Sequence, residues 1–283
     1  MKGIHVRIWK DRLVTGTIWL LSLLPLIPLA LILFFIVSKG FSCLSWSFLT
    51  SLPKPPGETG GGVFNAIVGT VMLIVLASIL AVPMGVMAGV YLSEFKGKTL
   101  PGLVRTAADL LQGIPSIVVG IIAYAWVVLP MHHFNALAGG VALALIMIPI
   151  IVRTTEEVLI LVPQELREAS LALGACRWRT ILKVVIPTGM AGITTGILVS
   201  IARIAGETAP LLFTAFGNPF LTFKVTEPVN ALPLVIFNYA TSPYQDWWRQ
   251  AWGASIVLVA MVFLLNITAK AIAKRIGGSV TNE

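Results

Sequence analysis

An all-α, polytopic transmembrane bundle of six spans is predicted for this chain by three observations. Hydrophobic residues make up 57% of its 283 residues and charged residues only 11%, where soluble domains carry about 25% charged residues. The apolar residues gather into six runs, each near the ~20 residues that a helix needs to cross a bilayer. Lys and Arg concentrate in alternate connecting segments, as they do when those segments stay on the cytoplasmic side.

The first run covers residues 17–37 and follows Lys2, Arg7, Lys10 and Arg12. It is longer than the apolar core of a signal peptide, and Val37-Ser38-Lys39-Gly40-Phe41 offers no small-residue cleavage site, so a retained helix is expected. The second run, 63–91, is long for a straight crossing; tilt or a kink at Pro83 would absorb the excess. The third and fourth cover 112–131 and 135–152, the fifth 188–216 and the sixth 251–272. Between the first two lies an outer segment with Pro53-Lys54-Pro55-Pro56-Gly57, which cannot be regular helix. The outer segment 217–250 carries four prolines and places Trp247 and Trp248 where an interfacial belt would anchor span six. On the inner side, Pro101 suits a first helical turn, and Leu103, Ala107, Leu110 and Leu111 share a face that would lie along the membrane surface.

With the N-terminus on the cytoplasmic side, fifteen of the twenty Lys and Arg are cytoplasmic: four before span one; Lys96, Lys98 and Arg105; Arg153, Arg167, Arg177, Arg179 and Lys183; and Lys270, Lys274 and Arg275. Both termini are therefore expected inside. This asymmetry also accounts for the net charge of +8 without a nucleic-acid partner. Cys43 and Cys176 fall on opposite sides and cannot pair, and His5, His132 and His133 form no metal-ligand spacing. No glycine-rich phosphate loop is present, so the chain is not expected to bind ATP itself. Neither a Ser–His pair nor paired carboxylates suggest catalysis, and a transport subunit rather than an enzyme is the expectation.

Two segments carry the functional signal. The first is the cytoplasmic loop 154–187. Helix formers run to Leu173, Gly174 can end that helix in the left-handed conformation, and a second helix leads to Pro187. Two short helices with a turn between them would project from the membrane. The second segment is Ser200-Ile201-Ala202-Arg203-Ile204-Ala205-Gly206-Glu207-Thr208-Ala209-Pro210 within span five. Charge at membrane depth costs about 2.5–3.5 kcal/mol on insertion scales and is usually functional. Arg203 and Glu207 are spaced i,i+4 and can pair, with Ser200 on the same face. Pro210 cannot donate to the Gly206 carbonyl, so a helix break beside Glu207 is expected. Either Arg203 attracts an anionic substrate, or the Arg203–Glu207 pair only holds two helices together. Gly192 and Gly196 suit close helix packing, and Asp109 would line an inner gate or serve a helix end.

The loop spacing resembles the EAA loop of ABC importer permeases: Glu-Ala-Ala, three residues, Gly, nine residues, then aliphatic-x-aliphatic-Pro. Glu168, Ala169, Gly174, Val184, Ile186 and Pro187 match it, with Ser170 in place of the second Ala. The block Gly206-Glu207-Thr208-Ala209-Pro210-Leu211-Leu212-Phe213-Thr214-Ala215 and the stretch Gln112-Gly113-Ile114-Pro115-Ser116-Ile117-Val118-Val119-Gly120 resemble the corresponding blocks of the PstA family of bacterial phosphate-importer permeases. The likeness runs from about residue 63 onward.

The resemblance implies the MetI-like architecture of type I ABC importers in the bacterial cytoplasmic (inner) membrane. It implies an N-terminal segment of residues 1–62, a permease core 63–273 and a cytoplasmic tail 274–283. The loop would couple to an ATPase through Glu168, Ala169, Ser170 and Gly174. The substrate path would use Arg203, Glu207 and Ser200, with the break at Gly206 and Pro210. The implied partners are a sister permease (PstC-like), two ATPase subunits (PstB-like) that bind ATP and Mg²⁺, and an extracytoplasmic phosphate-binding protein (PstS-like). An ABC permease for another anion, such as phosphonate or molybdate, and a gradient-driven carrier without an ATPase remain alternatives.

Overall fold

The computed structural model describes residues 2–58, 60–95 and 99–278. Lys96 and Lys98, used above for orientation, and the tail beyond Gly278 lie outside the described residues. Among the described residues, five helices are long and apolar enough to cross a membrane, and a sixth if one sharply bent pair counts as a single span.

The first span is a broken rod. Helix α1 (Lys2–Leu23) meets α2 (Leu26–Gly40) at a turn where the Ile27 amide donates to the Leu24 carbonyl. Pro25 sits at the N-cap of α2, where a missing N–H costs nothing. The apolar stretch runs Trp9–Cys43, longer than the 17–37 expected. Its C-terminal end rests on the last helix: a Cβ on Gly40 would strike the Trp252 carbonyl. A short helix α3 (Trp46–Thr50) is capped by Ser45, whose hydroxyl accepts from the Phe48 amide at 3.1 Å.

Helix α4 (Phe64–Glu94) passes unbroken through Pro83. Helix α5 (Thr99–Gly113) then turns by 106° into α6 (Ser116–Met131). Pro115 forces this bend, because it disfavours helical conformation at Ile114. The surface helix expected from Pro101 onward is thus distinct from span three, which begins after Pro115 rather than at Gln112. Helix α7 (Ala136–Ile160) extends two turns past the end expected at residue 152. Its first amides are satisfied by the Asn135 side chain and by carbonyls of the segment 217–250: Ala136 donates to Glu227 at 3.0 Å and Leu137 to Val225 at 2.9 Å.

Helix α8 (Gln164–Ala172) projects beyond α7, and Arg177–Ala205 forms one continuous helix, α9. The expected loop 154–187 is therefore too wide: only about residues 161–176 project. Pro187 does not start the span. It follows a wide π-turn at Ile181–Val185, where Ile186 donates to the Ile181 carbonyl, so the helix absorbs its missing donor. A short α10 (Ala209–Leu212), α11 (Leu232–Ala240) and the long α12 (Gln245–Gly278) complete the chain. Trp247 opens α12 stacked on Tyr239 at 4.5 Å, and Trp248 donates to the Ser242 carbonyl.

The core lies between α4, α7 and α9, with Leu73, Ala77, Leu143, Met147, Ile151 and Ile204 buried. Small residues let these backbones approach. A Cβ on Gly85 or Gly89 of α4 would overlap Ile151 or Thr155 of α7, and one on Gly192 or Gly196 of α9 would overlap Val158 or Thr154. In lipid, such close contact supplies the dispersion energy that hydrophobic burial cannot.

Candidate substrate path and coupling loop

Helix α8 begins after Pro163, whose extended backbone ends the preceding turn, and carries Glu165 in its first turn, where a carboxylate complements the helix dipole. It ends at Gly174, with φ +80°, a conformation that costs L-residues with a Cβ. There the Gly174 amide donates to the Leu171 carbonyl at 2.9 Å and Ala175 to Ser170 at 3.2 Å. Glu168, Ala169 and Gly174 are exposed; Ser170 is half-buried, its hydroxyl 2.9 Å from that of Thr180 at the start of α9. The tip also carries Leu173, 89% exposed, and Trp178. Both were missed by sequence reasoning, which weighed the motif residues and not the apolar neighbours between them.

A clamp holds α8 to the membrane core. Arg167 donates to the Glu94 carboxylate at the end of α4 and, through its other Nη, to the Leu159 carbonyl at the end of α7 at 2.8 Å. Arg177 donates to the Glu94 carbonyl at 3.1 Å and lies 5.2 Å from the centroid of the Phe95 ring. Burial, and then the neighbouring Arg177 charge, push the Arg167 guanidinium down from its ordinary value; arginine remains charged regardless. A groove of about 370 Å³ lies beside this clamp.

A second ionic cluster joins α5 to α7. Glu156, 2% exposed, accepts from Arg105 and from Arg153 at 2.9 Å each, and Arg153 Nε also lies 3.1 Å from Asp109. Asp109 is thus an ion-pair partner of α7. Gln112, one turn on, donates to the Pro149 carbonyl at 3.2 Å. Glu156 was detectable in principle: a carboxylate three residues after an arginine, in a helical apolar pattern, belongs in the bundle interior.

At the end of this polar strip a cavity of about 70 Å³ is lined by Gln112, Ser116, Ile146, Ile150 and Arg203. Helix α9 stops at Ala205. The Gly206 amide donates to Arg203 and the Glu207 amide to Ile204, short-range bonds that replace the helical ladder. Pro210 lies in the first turn of α10, buried against Gly120 of α6; a Cβ on Gly120 would lie 2.6 Å from the Pro210 Cα. The two blocks that carry the family resemblance thus pack on each other. Arg203 Nε stands 3.9 Å from Glu207 Oε1, with Arg203 57% and Glu207 16% exposed. Ser200 does not join them. It is fully buried, and its hydroxyl donates to the Ile197 carbonyl. The boundary between buried and exposed faces of α9 runs between Ser200 and Arg203.

Comparison with known proteins places this arrangement. The family "Binding-protein-dependent transport system inner membrane component" matches residues 81–282. The phosphate transport system permease protein PstA of Yersinia pestis is 44% identical over 93% of this chain and 90% of its own. That of Pasteurella multocida is 42% identical over 94% and 95%. Among solved structures, a permease of the bacterial alginate ABC transporter superposes with a TM-score of 0.67 at 16% identity, covering 96% of this chain and 98% of that one. The MetNI methionine ABC transporter gives 0.58 at 20% identity, covering 76% and 94%; at these identities the likeness concerns the fold alone. The projecting α8, the break after Ala205 and relatives at 42–44% identity along most of both chains place this chain in the binding-protein-dependent transport system inner membrane component family, among its PstA-type permeases.

Proposed function

We propose that the chain is one permease half of an ATP-driven importer of inorganic phosphate in the bacterial cytoplasmic membrane, with both termini inside. The observation that carries this reading is Arg203. It is a charged, exposed guanidinium beside a helix break, in the last turn of a membrane-spanning helix, in a chain 44% identical to a phosphate permease. A guanidinium grips phosphate through two parallel, charge-assisted hydrogen bonds. Glu207 keeps Arg203 paired when no anion is present and limits affinity so that the ion can leave. The buried Ser200 supports that site from within the bundle rather than contacting the anion.

The sister permease (PstC-like) supplies the other half of the path and faces the exposed side of Arg203. An extracytoplasmic binding protein (PstS-like) delivers phosphate to the outer face. Two ATPase subunits (PstB-like), which bind ATP and Mg²⁺, engage α8 through Glu168, Ala169, Ser170 and Gly174. In this organisation, residues 1–62 form a peripheral segment, 63–273 the permease core and 274–283 the tail. Radiolabelled phosphate uptake in cells lacking other phosphate importers, with and without this chain beside its partner subunits, tests the reading. Uptake that requires this chain and ATP hydrolysis supports it; an assembled complex that hydrolyses ATP but moves no phosphate refutes the substrate.

A further inference from the structure

Helix α4 is a single rod of 31 residues, about 46 Å long at 1.5 Å per residue, and both of its ends are fastened. At the inner end, the enclosed Glu94 carboxylate holds Arg167 of α8, and its carbonyl accepts from Arg177. At the outer end, the side chains of Asn65 and Thr70, both 3% exposed, hold the segment that crosses the outer face. Asn65 donates to the Asn218 carbonyl at 2.7 Å, and the Thr70 hydroxyl accepts from the Leu232 amide at 2.9 Å. Gly69 leaves room for the Asn230 carbonyl, which any Cβ would overlap. The same outer segment caps α7 through its Val225 and Glu227 carbonyls.

We propose that α4 carries motion between α8 and the outer segment 217–232, which runs into the first residue of α11, with Glu94 and Thr70 as the positioning residues at its two attachments. The inference rests on α8 being the ATPase-docking element. Along the chain itself, α8 reaches α9 through the Gly174 turn and an exposed Cys176, and the Ser170 hydroxyl meets that of Thr180 at 2.9 Å. Its charged contact is made instead with α4 and, through the Leu159 carbonyl, with α7. Displacement of α8 therefore reaches the outer face along a rod that is helical throughout. Linkage is reciprocal: binding at the outer face must bias α8 by the same coupling free energy.

The test uses the whole complex reconstituted in liposomes, with phosphate imported per ATP hydrolysed as one readout and stimulation of hydrolysis by phosphate-loaded binding protein as the other. Glu94→Gln keeps the shape of the inner attachment and removes its charge; Thr70→Val keeps the shape of the outer one and removes its acceptor. Both complexes are expected to assemble and hydrolyse ATP, with phosphate per ATP and the stimulation each falling about fivefold or more, the low end of allosteric coupling factors. A wild-type ratio and wild-type stimulation in Glu94→Gln overturns the proposal. If Glu94→Gln fails to assemble, Thr70→Val carries the test, and its wild-type ratio overturns the proposal equally. Should the wild-type complex itself import no phosphate, the importer reading fails instead, while the stimulation readout still tests the rod.

Discussion

Replacing Gly120 with Ala separates the geometry of the helix break from its charges. The added Cβ would lie 2.6 Å from the Pro210 Cα, 3.1 Å from its carbonyl oxygen and 3.2 Å from its Cβ, whereas ordinary contact begins at 3.4 Å. The obstacle is backbone, so no side-chain rotation relieves it, and α10 must retreat by close to 1 Å. Overpacking of this kind costs about 1–3 kcal/mol, and its relief drags Thr208 and Glu207 away from Arg203. The expected outcome is a Tm in detergent lower by roughly 2–10 °C and a phosphate uptake reduced at least several-fold, with the ATPase still copurifying. Gly102→Ala is the matched control, because nothing lies within 4 Å of its new Cβ. A Gly120→Ala complex that transports and melts like the Gly102→Ala control would refute the view that α6 sets the position of the break.

Arg203→Gln should lower phosphate uptake by about tenfold or more, as for the loss of a charge-assisted contact, while the subunits still assemble; uptake at the wild-type rate would leave Arg203 only a structural partner of Glu207. Gly174→Val places a β-branched residue at φ +80°, at a cost of about 1–3 kcal/mol. It should reduce copurification of the ATPase without preventing membrane insertion, and unchanged copurification would count against the loop assignment. Glu156→Gln leaves Arg105 and Arg153 facing each other across a buried amide. Since both arginines are partly exposed, the loss should be about 1–3 kcal/mol, below that of a fully buried pair. It would be read as a lowered Tm, and an unchanged Tm would show that water already screens the cluster.

Much of the bundle was legible because hydrocarbon imposes its length on any helix that crosses it: each of the six apolar runs falls on helix, the first of them across the break between α1 and α2. The turn at Gly174 and the break before Pro210 were legible because glycine and proline act on the backbone locally. Contacts between distant segments were not. Glu94 and Arg167 are separated by 73 residues, and no local spacing relates them. Gly120 and Pro210 each belonged to a recognisable block, yet neither block indicates that it packs on the other. The limits of span five were misjudged for a specific reason: proline was read as a boundary, and the π-turn before Pro187 makes it an interior residue. Ser200 was assigned to the face of Arg203 from helical spacing, but residues three apart lie about 60° apart around the axis. That is enough to put one in the core and the other outside it.

The continuity of α9 has a consequence for its register. One helix of 29 residues joins the projecting tip to Arg203 near its other end, so the two are locked in angular phase. Inserting one residue between Met190 and Ser200 would rotate Arg203 by about 100° relative to the tip, turning the guanidinium toward the bundle while leaving every residue of the tip unchanged. Deleting one residue within Ile181–Val185 would instead convert the wide turn to an ordinary α-turn, leaving that phase nearly intact. The π-turn is thus the one place in α9 where chain length can change while Arg203 keeps its bearing.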